Sequence, residues 1–165
     1  MEKYQDKLIQ CPREGKTSTR IKSGSKNMKT VNVVAAIICD DYEKKTRIFA
    51  TQRGYGEYKD GWEFPGGKIE EGESPEQALV REIREELGTE IAVHDLIDVI
   101  DYDYDSFHLH MNCYFASVLK GELQLLEHEA AKWLEYGDLE SVDWLPADQL
   151  LIPKLREAMA GHIPE

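Results

Sequence analysis

Apolar and polar positions along this chain fall into blocks that predict alternating strands and helices. Val31–Cys39 is an unbroken run rich in β-branched residues and alanine, the pattern of a strand buried on both faces. The polar stretch Asp40–Lys45 turns the chain, and Arg47–Arg53 predicts a second strand. Gly54–Trp62 is rich in Gly and Tyr and reads as a loop able to move over a ligand; Glu63–Gly66 leads out of it. The period then changes. Leu79, Ile83 and Leu87 recur every four residues and form one stripe of a helix over Pro75–Leu87. Ser74 is placed to cap that helix, Pro75 suits its first position, and Gln77 completes a capping box. Gly88 stops it.

Further on, Ile91–Tyr102 and Phe107–Leu119 predict strands around an acidic turn, Asp103–Ser106. Gly121–Ala130 reads as a loop, Lys132–Tyr136 as a short strand and Asp138–Val142 as a helical turn. A last helix runs to Met159 ahead of Gly161, with Pro153 in its first turn or kinking it. No internal repeat is visible. The expectation is an α/β fold in which a mixed sheet lies between helices.

Charge divides the chain. Over its 165 residues the net charge is −12, yet residues 1–27 carry +4, which leaves −16 on the remainder. The first 27 residues are polar, contain Ser23-Gly24-Ser25 and show no period, so a disordered basic leader is expected ahead of a domain over 28–165. An acidic body is a poor match for a nucleic acid polymer. No apolar stretch is long enough for a membrane span, and no secretory signal opens the chain. Cys39 and Cys113 lie in apolar runs, and Cys11 has no close cysteine partner. Core thiols and a reducing cytoplasm follow as expectations, not a cysteine zinc site.

The chemistry concentrates in Gly66–Gly88. Glu82, Glu85 and Glu86 are spaced i, i+3, i+4 and share one helix face. Three carboxylates without basic partners repel unless a divalent cation neutralises them, and hard cations such as magnesium take oxygen ligands alongside substrate phosphates. Arg81, on another face, is placed to reach back to Glu73. His108 and His110 share a strand face but have no third ligand at metal spacing, so they and His128 are expected at the surface or in supporting positions.

The segment resembles the Nudix box, G-x5-E-x7-R-E-U-x-E-E-x-G-U, where U is bulky and apolar. Gly67, Glu73, Arg81, Glu82, Ile83, Glu85, Glu86 and Gly88 match it. Thr89 stands in the last apolar slot, a departure that touches packing at the helix exit. W-E-F-P-G-G at Trp62–Gly67, E-H-E-A-A-K-W at Glu127–Trp133 and L-P-A-D at Leu145–Asp148 resemble the MutT branch that acts on oxidised dGTP and cytidine-type triphosphates.

The resemblance implies an α/β/α Nudix sandwich and a set of roles. Glu85 and Glu86 are implied as the main ligands of Mg2+, for which Mn2+ substitutes, with Glu82 as ligand or base and Arg81 beside them. The Gly66 carbonyl and Glu127 are implied as further ligands. Gly67, Glu73 and Gly88 are structural. Arg53 matches a phosphate-contacting arginine; a strand-end surface arginine is its alternative. Val31, Val33, Phe64 and Leu109 align with apolar positions around the base, at the open edge of the sheet, and Phe107 is placed to stack on it. Asp148 is implied as the residue reading the base edge; a helix N-cap is its alternative. An ionised aspartate only accepts hydrogen bonds, which suits an exocyclic amino group.

The implied activity is hydrolysis of a nucleoside triphosphate to monophosphate and pyrophosphate, cleaning the nucleotide pool, by a monomer or homodimer. Hydrolysis of ADP-ribose or a dinucleoside polyphosphate, or nucleotide binding without catalysis, stays open from the residues alone. An RNA-processing activity would want a basic groove, which the acidic body lacks.

Overall fold

The structure, a computed structural model, describes residues 28–161; the expected leader lies outside them. The strands are β1 (Lys29–Ile38), β2 (Arg47–Arg53), β3 (Trp62–Glu63), β4 (Gly66–Lys68), β5 (Glu90–Asp103), β6 (Phe107–Lys120) and β7 (His128–Glu135). The helices are α1 (Pro75–Leu87), α2 (Pro146–Gln149) and α3 (Ile152–Ala160), and a single 3-10 turn covers Tyr136–Asp138.

The strands form two sheets where the sequence suggested one. The larger has the order β4-β1-β6-β5 and the smaller the order β3-β2-β7. The larger is mixed: β1 runs parallel to β6 and antiparallel to β4. Three boundaries also differ. β7 starts at His128, inside the expected loop, because Gln52 and Arg53 of β2 pair with Ala130 and His128. The 3-10 turn precedes the helical turn expected over Asp138–Val142. The expected last helix is two pieces, and Pro153 occupies the first turn of the second.

β1 explains the unbroken apolar run. Val33, Ala35 and Ile37 belong to a core shared with Phe64, Leu109, Leu151 and Leu155, on the side covered by α2 and α3. Val34, Ala36 and Ile38 belong to a second core, with Leu79, Ile83 and Leu87 of α1. From Val33 onward the strand is buried on both faces, and helices cover the two sides. Each apolar side chain of the α1 stripe contributes roughly 1.5–3 kcal/mol, which seats the helix without using its carboxylate face. Cys39 and Cys113 are buried thiols, and burial pushes Cys39 up to about 12.

The ends of α1 follow the local grammar. Ser74 Oγ accepts from the Gln77 amide, and the Gln77 side chain accepts from the Ser74 amide. Gly88 takes the left-handed conformation at φ 60°, and its N–H returns to Arg84 O. Thr89 is buried and donates from Oγ1 to Lys120 O. Ile91, two residues later, is buried in the core on the α1 side.

Candidate active site

α1 presents its carboxylates to β4. Glu82 and Glu86 are buried to 2% and 0% exposure, while the Glu85 side chain is 30% exposed at the rim. Two glycines make the approach possible. A Cβ on Gly67 would sit 2.4 Å from the Glu82 carboxyl carbon, and one on Gly66 would sit 1.9 Å from Val34 O. Gly66 is pressed to β1 and Gly67 leaves the space that Glu82 fills.

These carboxylates have a basic partner, contrary to expectation. Arg81 Nε and Nη2 donate to the two Glu73 oxygens at 2.6 and 2.8 Å. Nη1 donates to Glu82 at 2.9 Å and lies 3.6 Å from Glu85, and Nη2 also donates to Lys68 O. The hydrogen bonds from Arg81, with the backbone bond from Glu70, hold the Glu73 carboxyl below its ordinary range. The guanidinium thus ties the loop before α1 to the carboxylate face.

The donor set fits a hard cation. It is all oxygen: Glu82, Glu85 and Glu86, next to Gly66, whose closeness to Val34 O leaves no room for a side chain. Among the described residues no three acid, His or Cys side chains already close on one point. The face is therefore one-sided, and water or phosphate oxygens would complete it, as small divalent ions require. Glu127 lies just before β7, and the neighbouring Leu126 N–H donates to Glu86 O, which brings that loop to the end of α1. His128 was expected at the surface or in a supporting place. It is fully buried, with Nε2 3.9 Å from Glu86 Oε1. His108 and His110 instead pair with Asp101 and Asp103 on the outer side of the β5–β6 hairpin.

A cavity opens beside this face. Arg53, Val33, Phe64, Leu109 and Asp148 all line it, with Gly66 at its floor. It lies over β1 and β6 in the middle of the sheet, not at an open edge. Val31 and Phe107 are not among its walls: Val31 packs at the margin of the core, and Phe107 is buried behind Tyr104.

Asp148 occupies the third position of α2, whose N-cap is Leu145, so it is not the cap. Its Oδ2 accepts from the Phe64 amide at 3.1 Å. Burial pushes its carboxyl up to about 7, against the Phe64 amide and Arg53. α2 is held in place by β3: Trp62 donates to Asp143 O and accepts from Leu145 N–H. Arg53 is 4% exposed, so a surface arginine does not describe it. Nη2 donates to Glu63 Oε1 at 2.7 Å and Nη1 to Glu57 O at 3.1 Å.

Glu63 has no place in the sequence argument, yet it links the two halves of the site. Burial, then Asp148 and Glu86, push its carboxyl up, and the guanidinium 2.7 Å away works against that rise. A lone acid between aromatics in W-E-F-P-G-G was the available signal. For His128 the signal was weaker, an imidazole among acids at the start of a strand.

Residues 29–165 match the NUDIX domain. The chain belongs to the Nudix family. Over 134 residues it is 38% identical to the CTP pyrophosphohydrolase of Escherichia coli (strain K12), an alignment covering 81% of this chain and 94% of that protein. It is 32% identical to the 8-oxo-dGTP diphosphatase of the same organism over 130 residues, covering 78% and 98%. Among solved structures it resembles the E. coli ORF135 protein, with a TM-score of 0.67 and 38% identity over 82% of this chain and 92% of that one. As a Nudix protein the chain is a hydrolase of phosphorus anhydrides. Among the described residues no helix is long and apolar enough to cross a membrane.

Proposed function

We propose that this Nudix protein is a Mg2+-dependent pyrophosphohydrolase of cytidine-type or oxidised guanine nucleoside triphosphates, clearing them from the nucleotide pool. One observation carries the reading. A cavity ending in a buried carboxyl, Asp148, lies beside an oxygen-lined face, with Glu63 in electrostatic reach of both. The relatives named for CTP and 8-oxo-dGTP support the same substrate class.

Glu82, Glu86, the Gly66 carbonyl and Glu127 would hold the ion, which when bound would supply Lewis acidity toward the phosphates. Arg81 fixes Glu82 so that the donors do not rearrange between turnovers. Glu85 is the carboxylate with solvent reach, and it takes the proton from the attacking water. The water oxygen bonds to the β-phosphorus. The bond from that phosphorus to the α–β bridging oxygen breaks, and the nucleoside monophosphate leaves with the bridging oxygen. Arg53 and the apolar walls hold the nucleotide, and Asp148 reads the base edge.

Turnover of canonical, oxidised and methylated triphosphates in 18O-water tests this. Label in pyrophosphate and none in the monophosphate is expected. Label in the monophosphate places attack at the α-phosphorus, and absence of turnover on the whole panel overturns the assignment.

A further inference from the structure

The cavity at Asp148 is narrow, about 30 Å³, so its walls decide what can enter it. One of its walls is Tyr104, in the short turn between β5 and β6. The sequence gives that turn as acidic and solvated, but Tyr104 is only 9% exposed. Its ring stacks on Phe107 with centroids 5.0 Å apart and planes 19° apart, and meets Tyr102 edge-on at 4.7 Å. Tyr58, from the loop after β2, meets it at 5.6 Å. Phe107 therefore spends on Tyr104 the stacking face that a base was expected to use.

The hydroxyl has a second partner. It accepts a hydrogen bond from the Ala147 N–H at 3.2 Å. Ala147 precedes Asp148 in the first turn of α2, where backbone N–H groups have no helical acceptor. The N-cap Leu145 offers no side-chain acceptor. The turn that presents Asp148 takes its cap from the β5–β6 hairpin.

We propose that Tyr104 is a specificity-determining positioning residue. Its ring bounds the space a base must enter, and its hydroxyl fixes the turn that presents Asp148. This rests on the base-site assignment made above. The ring narrows the site against purines, and the hydroxyl sharpens the hydrogen bond that Asp148 offers to a cytosine-type amino edge.

The test compares the full-length wild type with Tyr104→Phe and Tyr104→Ala, measuring kcat and KM for CTP, dCTP and oxidised dGTP with Mg2+. For Tyr104→Phe the loss is expected in KM more than in kcat. The kcat/KM ratio of cytidine-type to guanine-type substrate should fall about two- to tenfold, the range of one hydrogen bond. Tyr104→Ala should move that ratio further toward the purine. Thermal unfolding is recorded for each variant, and if Tyr104→Ala does not fold, Tyr104→Phe decides alone. A uniform factor on every substrate, or a fall in kcat at constant KM, overturns the proposal. An active wild type with unchanged ratios in the variants overturns the role of Tyr104 alone. A wild type inert on every triphosphate overturns the base-site assignment and Tyr104 with it.

Discussion

The acidic face of α1 and the cavity at Asp148 lie close enough for Glu63 to feel the charge of both, yet they are built on opposite rules. The α1 face buries several carboxylates together and offsets them with one arginine, Arg81, on its open side. The cavity sets the Asp148 carboxyl between apolar walls and the buried Arg53–Glu63 pair, and burial favours its neutral form. The first arrangement stores repulsion that a cation relieves. The second leaves the reading of a base edge to Asp148, because the other buried acid of the pocket, Glu63, is already paired with Arg53. If the proposed roles hold, chemistry and selection are separable in this molecule, and mutations should divide along that line.

The largest effect should come from the acidic face. Removing divalent ions with a chelator should abolish turnover. Glu86→Gln should lower kcat by roughly a hundredfold or more, with the substrate ratio unchanged. Without metal, its denaturation midpoint should match or exceed that of the wild type, because a buried charge is gone. Near-normal kcat in this variant would remove Glu86 from the ligand set.

Gly67→Ala tests whether the glycine pair is what lets that face form. The added methyl meets the Glu82 carboxyl at 2.4 Å. A displaced carboxylate should cost on the order of a hundredfold in kcat, again for all substrates alike. Retained turnover would show that α1 can retreat from β4 at little cost.

On the selection side the effect is smaller and different in kind. Asp148→Asn should change the relative kcat/KM of cytidine-type and oxidised guanine substrates by about 1–3 kcal/mol, against the cytidine type. The same carboxyl leaves a mark on stability. Its folded pKa is raised, so the native state binds the extra proton between the ordinary aspartate range and about 7. Its stabilising contribution is full below that window and is lost as pH rises through it. Urea midpoints measured from pH 5 to 8 should fall in the wild type relative to Asp148→Asn. Parallel pH curves would mean that Asp148 is ionised throughout. The smallest effect belongs to neither region: Arg84→Ala breaks an exposed pair with Glu90 and should leave kcat, KM and substrate ratio unchanged.

What the sequence showed and what it hid divide along a related line. The caps of α1, its stripe and the Arg81–Glu73 tie are local, set within a few turns of chain, and they were legible. Val33, Phe64, Leu109 and Asp148, expected around the base through resemblance, line one cavity, and so does Arg53, expected at a phosphate. The start of β7 depends on pairing with β2, which no local pattern records. Glu63, His128 and Tyr104 acquire their meaning only when distant segments meet: Glu63 with Arg53, His128 with Glu86, Tyr104 with Ala147. Phe107 looked free to stack on a base because its true partner, three residues before it, sat in a turn that composition marks as solvated.

The parallel pairing of β1 with β6 has a consequence for biosynthesis. Lys29 to Ile38 align with Phe107 to Ala116, so β1 leaves the ribosome well before its central neighbour exists. During that interval Val33–Ile38 is apolar on both faces, and only Val33–Ala35 finds a ladder partner, the short strand β4. Connections of such long range close slowly, and an unpaired hydrophobic strand is where chains meet other chains. The strand that lines the cavity at Asp148 is thus also the segment that nascent chains must keep covered, and a chaperone that binds extended apolar peptides should find its preferred sequence there.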